Sequence, residues 1–190
     1  MSSGDEVKNI LYSTIEDIGK ERIRSDTTSD ITLSDKYINT IMGRCISKID
    51  NNSKIGHSNE TLMGLCEALL HFMLTVCTLP SERKIQVKEG LLLDIVIPNL
   101  QTLKMYPLKS VIIYMIKDDE DSTKISRLDY LQPEYRNIWL ISSIPLSTKK
   151  YKIYDIVAES GKFHNRFSSI ITDIDSFLKE TGDRTLRLIH

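Results

Sequence analysis

Apolar side chains recur at helical intervals through the first eighty residues, and the interval changes after Pro80. Val7, Ile10, Leu11, Ile15 and Ile18 follow a 3.6-residue period and predict a helix ending near Gly19 or Arg24. Ser25 to Leu33, rich in Ser, Thr and Asp, reads as a loop. Ser34 then reads as the N-cap of a second helix carrying the stripe Tyr37, Ile38, Ile41, Met42, Cys45, Ile46 and Ile49. After a loop from Asn51 to His57, Ser58 caps a third helix that runs to about Thr78 and stops at Pro80. Its apolar run from Leu62 to Leu79 includes Gly64, Glu67 and His71, groups that a membrane span of about 20 residues does not usually carry. It is read as a core helix, and no membrane association is expected.

Beyond Pro80 the apolar runs shorten. Lys84 to Val87 and Leu91 to Ile97, joined through Lys88, Glu89 and Gly90, predict a hairpin. Leu100 to Leu108 is a short connection, and Ser110 to Ile116 is apolar enough to be a central strand covered on both faces. An acidic loop from Asp118 to Asp121 leads into a helix from Thr123 to Leu131, then a strand from Ile138 to Ile144. Tyr151 to Glu159 fits either helix or strand, and Phe163 to Glu180 predicts a closing helix with Gly182 as its C-cap. These elements predict one α/β domain: an all-helical N-terminal third (1–80), then a small mixed sheet of about four strands flanked by helices (81–190).

Composition narrows the function classes. At 190 residues, 41% hydrophobic and 27% charged, the chain is suited to a single packed core. Its 25 basic and 26 acidic residues leave a net charge of -1, so no global field draws it to nucleic acid or to an anionic membrane. Any such binding must come from a local patch. The polar, acidic start lacks the pattern of a signal peptide, and Cys45, Cys66 and Cys77 show no CxxC spacing. A cytoplasmic protein with buried free thiols is expected, and zinc binding is not. Gly-rich phosphate loops, HExxH and GxSxG are absent from the sequence, and His57, His71, His164 and His190 are scattered.

Polar residues set among apolar ones carry the remaining signal. Asp94 lies in Leu-Leu-Leu-Asp-Ile-Val-Ile, mid-strand, where a carboxylate needs a partner, a metal or solvent at a cleft. Lys117 ends Val-Ile-Ile-Tyr-Met-Ile-Lys, and Glu67 lies inside the third helix with His71 one turn on. In order and placement, Glu67, Asp94 and Lys117 resemble the PD-(D/E)XK nuclease superfamily, the restriction-endonuclease-like fold. That family carries an acid on a leading helix, an Asp on the second strand of a hairpin and an acidic-x-Lys triplet on the third strand. The resemblance implies a site of Glu67, Asp94 and Lys117, with Asp94 and Glu67 holding Mg²⁺ against a phosphodiester and Lys117 positioning water. Two positions depart from the family pattern. Met115 stands where the triplet has its acid, and Leu93 where a proline precedes the Asp. One metal ligand is thus missing unless Asp118 or Glu89 supplies it.

A second candidate is the segment Lys149, Lys150, Tyr151, Lys152 and Tyr154, followed by Lys162, His164 and Arg166. Interleaved basic and aromatic side chains can hold phosphates and stack on bases of DNA or RNA. The competing reading is a non-enzymatic interaction module. In it, Asp94 and Lys117 form a structural pair in a closed interior, and the chain associates with itself or a protein partner through the helix from Ser34 to Asp50 or an exposed strand edge. The two readings differ in whether Asp94 and Lys117 meet in an open cleft.

Overall fold

The computed structural model describes residues 3–52, 58–87, 90–117, 121–144, 146, 148–156 and 165–182. His57, Lys88, Glu89, Asp118, Asp119, Glu120, Lys162, Phe163, His164 and His190, all weighed in the sequence, lie outside that set. The chain divides into two compact units, Met1–Thr78 and Leu79–His190.

The first unit is helical: α1 (Ser3–Ile18), α2 (Lys20–Ser29), α3 (Leu33–Asp50) and α4 (Asn59–Val76). Gly19 separates the first two helices at φ 100°, a conformation a side chain would strain. Of the loop expected from Ser25 to Leu33, only residues 30–32 form the connection, and residues 25–29 are instead the second half of α2. Ile23 and Thr27 share its buried face, one turn apart, and the Thr27 hydroxyl donates to the Ile23 carbonyl at 2.7 Å. Asp26 accepts the Tyr37 hydroxyl from α3. Polar residues that favour turns in isolation are thus satisfied within a packed helix. The start of α3 also differs from expectation, because Thr32 occupies the N-cap position and Ser34 is buried in the first turn. At α4 the expected cap is present, with Ser58 Oγ accepting from the Thr61 N–H at 3.1 Å.

The second unit holds a six-stranded sheet in the order β1 (Glu82–Gln86), β2 (Leu92–Ile97), β3 (Val111–Met115), β4 (Ile138–Ser142), β5 (Lys152–Asp155) and β6 (Asn165–Arg166). The first three strands pair antiparallel and the rest parallel, so the sheet is mixed. The segments α5 (Leu100–Met105), α6 (Asp121–Leu128) and α7 (Ile170–Thr181) connect and cover it. Leu103, Leu128 and the partly buried Ile125 join Val96, Ile112, Tyr114, Ile138 and Leu140 in one core cluster. Trp139 and Tyr154 instead meet α7, with the Trp139 and Phe177 rings 6.3 Å apart.

The sheet is larger than the four strands expected. The ambiguous segment around Tyr151 supplies β5, whose Lys152 holds its ammonium over the Trp139 ring and against Asp173. The closing helix begins at Ile170 rather than Phe163, because Asn165–Arg166 pairs with β5 as a short edge strand. Gly182 ends α7 at φ 83°, the expected left-handed C-cap. Among the described residues no helix is long and apolar enough to cross a membrane.

Candidate functional site around Asp94

The β1–β2 hairpin places Lys84 across from Asp94, between the register pairs Arg83 with Ile95 and Ile85 with Leu93. Asp94 is 3% exposed. Its Oδ1 lies 3.2 Å from Lys84 Nζ and 3.9 Å from Lys117 Nζ, and its Oδ2 accepts the Met115 N–H at 2.9 Å. A buried carboxylate is tolerable under those conditions: two ammonium groups offset its charge, and a backbone amide takes the second oxygen. Lys84 adopts φ 49°, a left-handed conformation that costs an L-residue about 1 kcal/mol. The reach of its ammonium to Asp94 is the contact that accompanies this strain.

Around the carboxylate is a cavity of about 230 Å³ lined by Gly90, Leu92, Asp94, Met115, Lys117 and, from α6, Lys124 and Arg127. The Lys117 side chain is 41% exposed, so the pair opens toward solvent rather than sitting in a sealed interior. The structure therefore brings Asp94 and Lys117 together. Glu67, half-buried on α4, belongs to the helical unit.

The donor set bears on the Mg²⁺ that the resemblance implies. Mg²⁺ takes hard oxygen ligands at about 2.1 Å in near-octahedral geometry. Both Asp94 oxygens are engaged, and the position two before Lys117 is the buried thioether of Met115, a soft and weak donor. Among the described residues no three His, Cys, Asp or Glu side chains gather into a metal-binding group. The described lining, with Asp94 as its one acid and Lys117, Lys124 and Arg127 as its cations, does not fit a divalent-cation centre. It fits an anion.

Side chains of the second candidate segment are divided by the sheet. Lys150 donates to Asp129 at 2.5 Å and stands 4.1 Å from the centre of the Tyr135 ring, and the Asp129 carboxylate holds its ammonium above the usual lysine range. Tyr151 donates to the same carboxylate at 3.0 Å; burial, more than Asp129, raises its phenol. Lys152 goes to the α7 side, 2.8 Å from Asp173 and 4.3 Å from the Trp139 ring centre. Tyr154 is buried there, its phenol pushed up by burial and by its hydrogen bond to Asp173. Lys149 is exposed, and Arg166 is exposed on β6. Sequence reasoning passed over Lys84, Lys124 and Arg127. Lys84 had the signal of a cross-strand position opposite Asp94. Lys124 and Arg127 had that of three-residue spacing on the helix after Lys117.

No protein-family model matches the sequence, and no curated protein sequence does either. Solved structures do match its fold. The restriction endonuclease PspGI, in complex with substrate DNA, aligns over 95% of this chain and 96% of its own with a TM-score of 0.62 and 13% identity. Metal-depleted Ecl18kI, in complex with uncleaved, modified DNA, aligns over 92% of this chain and 78% of its own, with a TM-score of 0.58 and 12% identity. The chain adopts a restriction-endonuclease-like fold.

Proposed function

We propose that this chain is a nuclease-like DNA-binding protein that grips the phosphodiester backbone at the Asp94 pocket and does not cleave it. The observation that carries this reading is the gathering of Lys84, Lys117, Lys124 and Arg127 about one buried, already neutralised carboxylate. In a nuclease of this fold the strand carboxylates polarise a phosphodiester through a metal. Here Asp94 acts on lysines instead, pairing with Lys84 and holding Lys117 in the pocket lining. Lys117 and Arg127 supply point-charge and forked donors suited to phosphate oxygens. That the two solved structures described above hold DNA supports DNA as the ligand. The alternative of a purely structural Asp94–Lys117 pair has less support, since the pair lines a pocket open to solvent.

Fluorescence anisotropy with a labelled DNA duplex, in EDTA and then in Mg²⁺ or Mn²⁺, tests this. Binding is expected without metal, weakening with salt by close to one power per phosphate contact. Lys117→Ala and Arg127→Ala should each weaken it severalfold, and no cleavage product should form with either cation. Metal-dependent cleavage that disappears in Asp94→Ala refutes the non-cleaving reading. Absence of duplex binding at low salt refutes the DNA reading altogether.

A further inference from the structure

The parallel strands β3, β4 and β5 all begin at the end of the sheet opposite the C-terminal end of β3, where Met115 and Lys117 line the Asp94 pocket. Three segments lead into those strands, and hydrogen bonds fasten them together. Gln132 Nε2 donates to the Pro107 carbonyl at 2.7 Å and to the Ser110 carbonyl at 2.8 Å, and Asn137 Nδ2 donates to the Leu108 carbonyl at 3.3 Å. Tyr151 reaches Asp129, and its ring stands edge-on to Tyr135 at 6.4 Å. The segments around 105–110, 129–137 and 148–151 therefore form one continuous surface.

That surface is unusually rich in exposed aromatic side chains. Tyr130 is 89% exposed, Tyr106 59% and Tyr135 44%, with Met105 and Leu108 beside Tyr106 also exposed. Cations stand near the rings: Lys109 Nζ is 6.0 Å from the Tyr106 centroid, and Lys150 Nζ 4.1 Å from that of Tyr135. The acids of these segments are Asp129, which binds Lys150 and Tyr151, and Glu134, which accepts the Arg136 N–H. Lys109, Arg136, Lys149 and Lys150 outnumber them. We infer that this face binds single-stranded nucleic acid, with unpaired bases stacked on Tyr106, Tyr130 and Tyr135 and phosphates held by the neighbouring lysines. Exposed rings with a cation beside them suit a base face joined to a phosphate. A duplex hides its base faces and gains nothing from them. Tyrosine, methionine and arginine are common at protein interfaces but lysine is depleted there, so the lysines beside these rings point to a polyanion rather than a protein. The inference is independent of the Asp94 pocket.

A fluorescein-labelled oligothymidylate of about 12 nucleotides, within the span that one small domain covers, is the probe. Wild type should bind it at low salt. Tyr130→Ala and Tyr106→Ala should each weaken binding by about fivefold or more, and Tyr130→Phe should retain it. These positions are exposed, so the variants should fold, and an unaltered melting temperature confirms that they do. Wild-type affinity in the Tyr130→Ala, Tyr106→Ala double variant overturns the inference, as does absence of oligothymidylate binding. Equal displacement of the probe by an oligoglutamate peptide also overturns it, making the face a surface for acidic protein. If duplex binding fails while tyrosine-dependent oligothymidylate binding persists, the proposed function falls and this inference stands.

Discussion

Replacing Asp94 tests whether the pocket is built as described. Asp94→Ala leaves the Met115 N–H, at a position 1% exposed, without its 2.9 Å acceptor. An orphaned buried amide costs about 1–3 kcal/mol. Loss of the two ion pairs adds less, at most about 1 kcal/mol, because both lysines are 41% exposed and solvent screens them. Against these stands the desolvation cost of the carboxylate, which the substitution returns. The net expectation is a loss of about 2 kcal/mol, which for a chain of this size lowers the melting temperature by about 4–8 °C. Asp94→Asn should cost less, because its carbonyl oxygen can keep the Met115 N–H while its amino group faces the ammonium groups. Urea unfolding followed by fluorescence reads the effect directly, since Trp139 is the only tryptophan and lies buried in the same sheet. If Asp94→Ala is as stable as wild type or more so, the reasoning fails. The carboxylate would then be held at a net cost, as a residue kept for metal chemistry would be.

Three further outcomes follow from the same structure. Unfolded tyrosine ionises near pH 10.0, whereas Tyr154 keeps its proton when folded. Above that pH the unfolded chain binds fewer protons, so stability should fall toward a slope of about 1.4 kcal/mol per pH unit, and by less in Tyr154→Phe; urea titrations at pH 9 to 11 check this. Burial raises the Cys66 thiol, so a thiol-specific dye should leave it unlabelled in native protein and label it on unfolding in urea. Met115→Glu places a second carboxylate beside Asp94 at a buried position; it should destabilise the protein without metal, and millimolar Mg²⁺ should raise the melting temperature of this variant but not of wild type.

The positions of Asp94 and Lys117 were legible because a charge inside an apolar strand is expensive and therefore conspicuous. Leu-Leu-Leu-Asp-Ile-Val-Ile admits few readings, and the hairpin and central strand followed from length and turn chemistry alone. What was hidden depended on partners distant in sequence. The polar residues of α2 read as a loop until Tyr37 and the buried faces of Ile23 and Thr27 are seen to satisfy them. Strand β5 was ambiguous because Lys152 looks solvent-seeking in sequence, whereas Asp173 on α7 and the Trp139 ring give it a place. Strand β6 has two residues, too few for any periodic signal.

The same distinction explains the Asp94 pocket. A catalytic centre of this fold needs its acids to share one cation, and the sequence gives only the spacing at which acids would stand. Spacing survives the replacement of an acid by Met115, whereas the charge balance does not. With a thioether at position 115 and no shared cation to balance it, the buried charge of Asp94 is offset by ammonium groups instead. Lys84 supplies one of them from the neighbouring strand, at the expense of a left-handed backbone. Each ammonium that stabilises Asp94 also repels a divalent ion and attracts a phosphate. On the proposed function, Met115 and Lys84 act in one direction, toward a pocket that holds a phosphodiester backbone rather than one that breaks it.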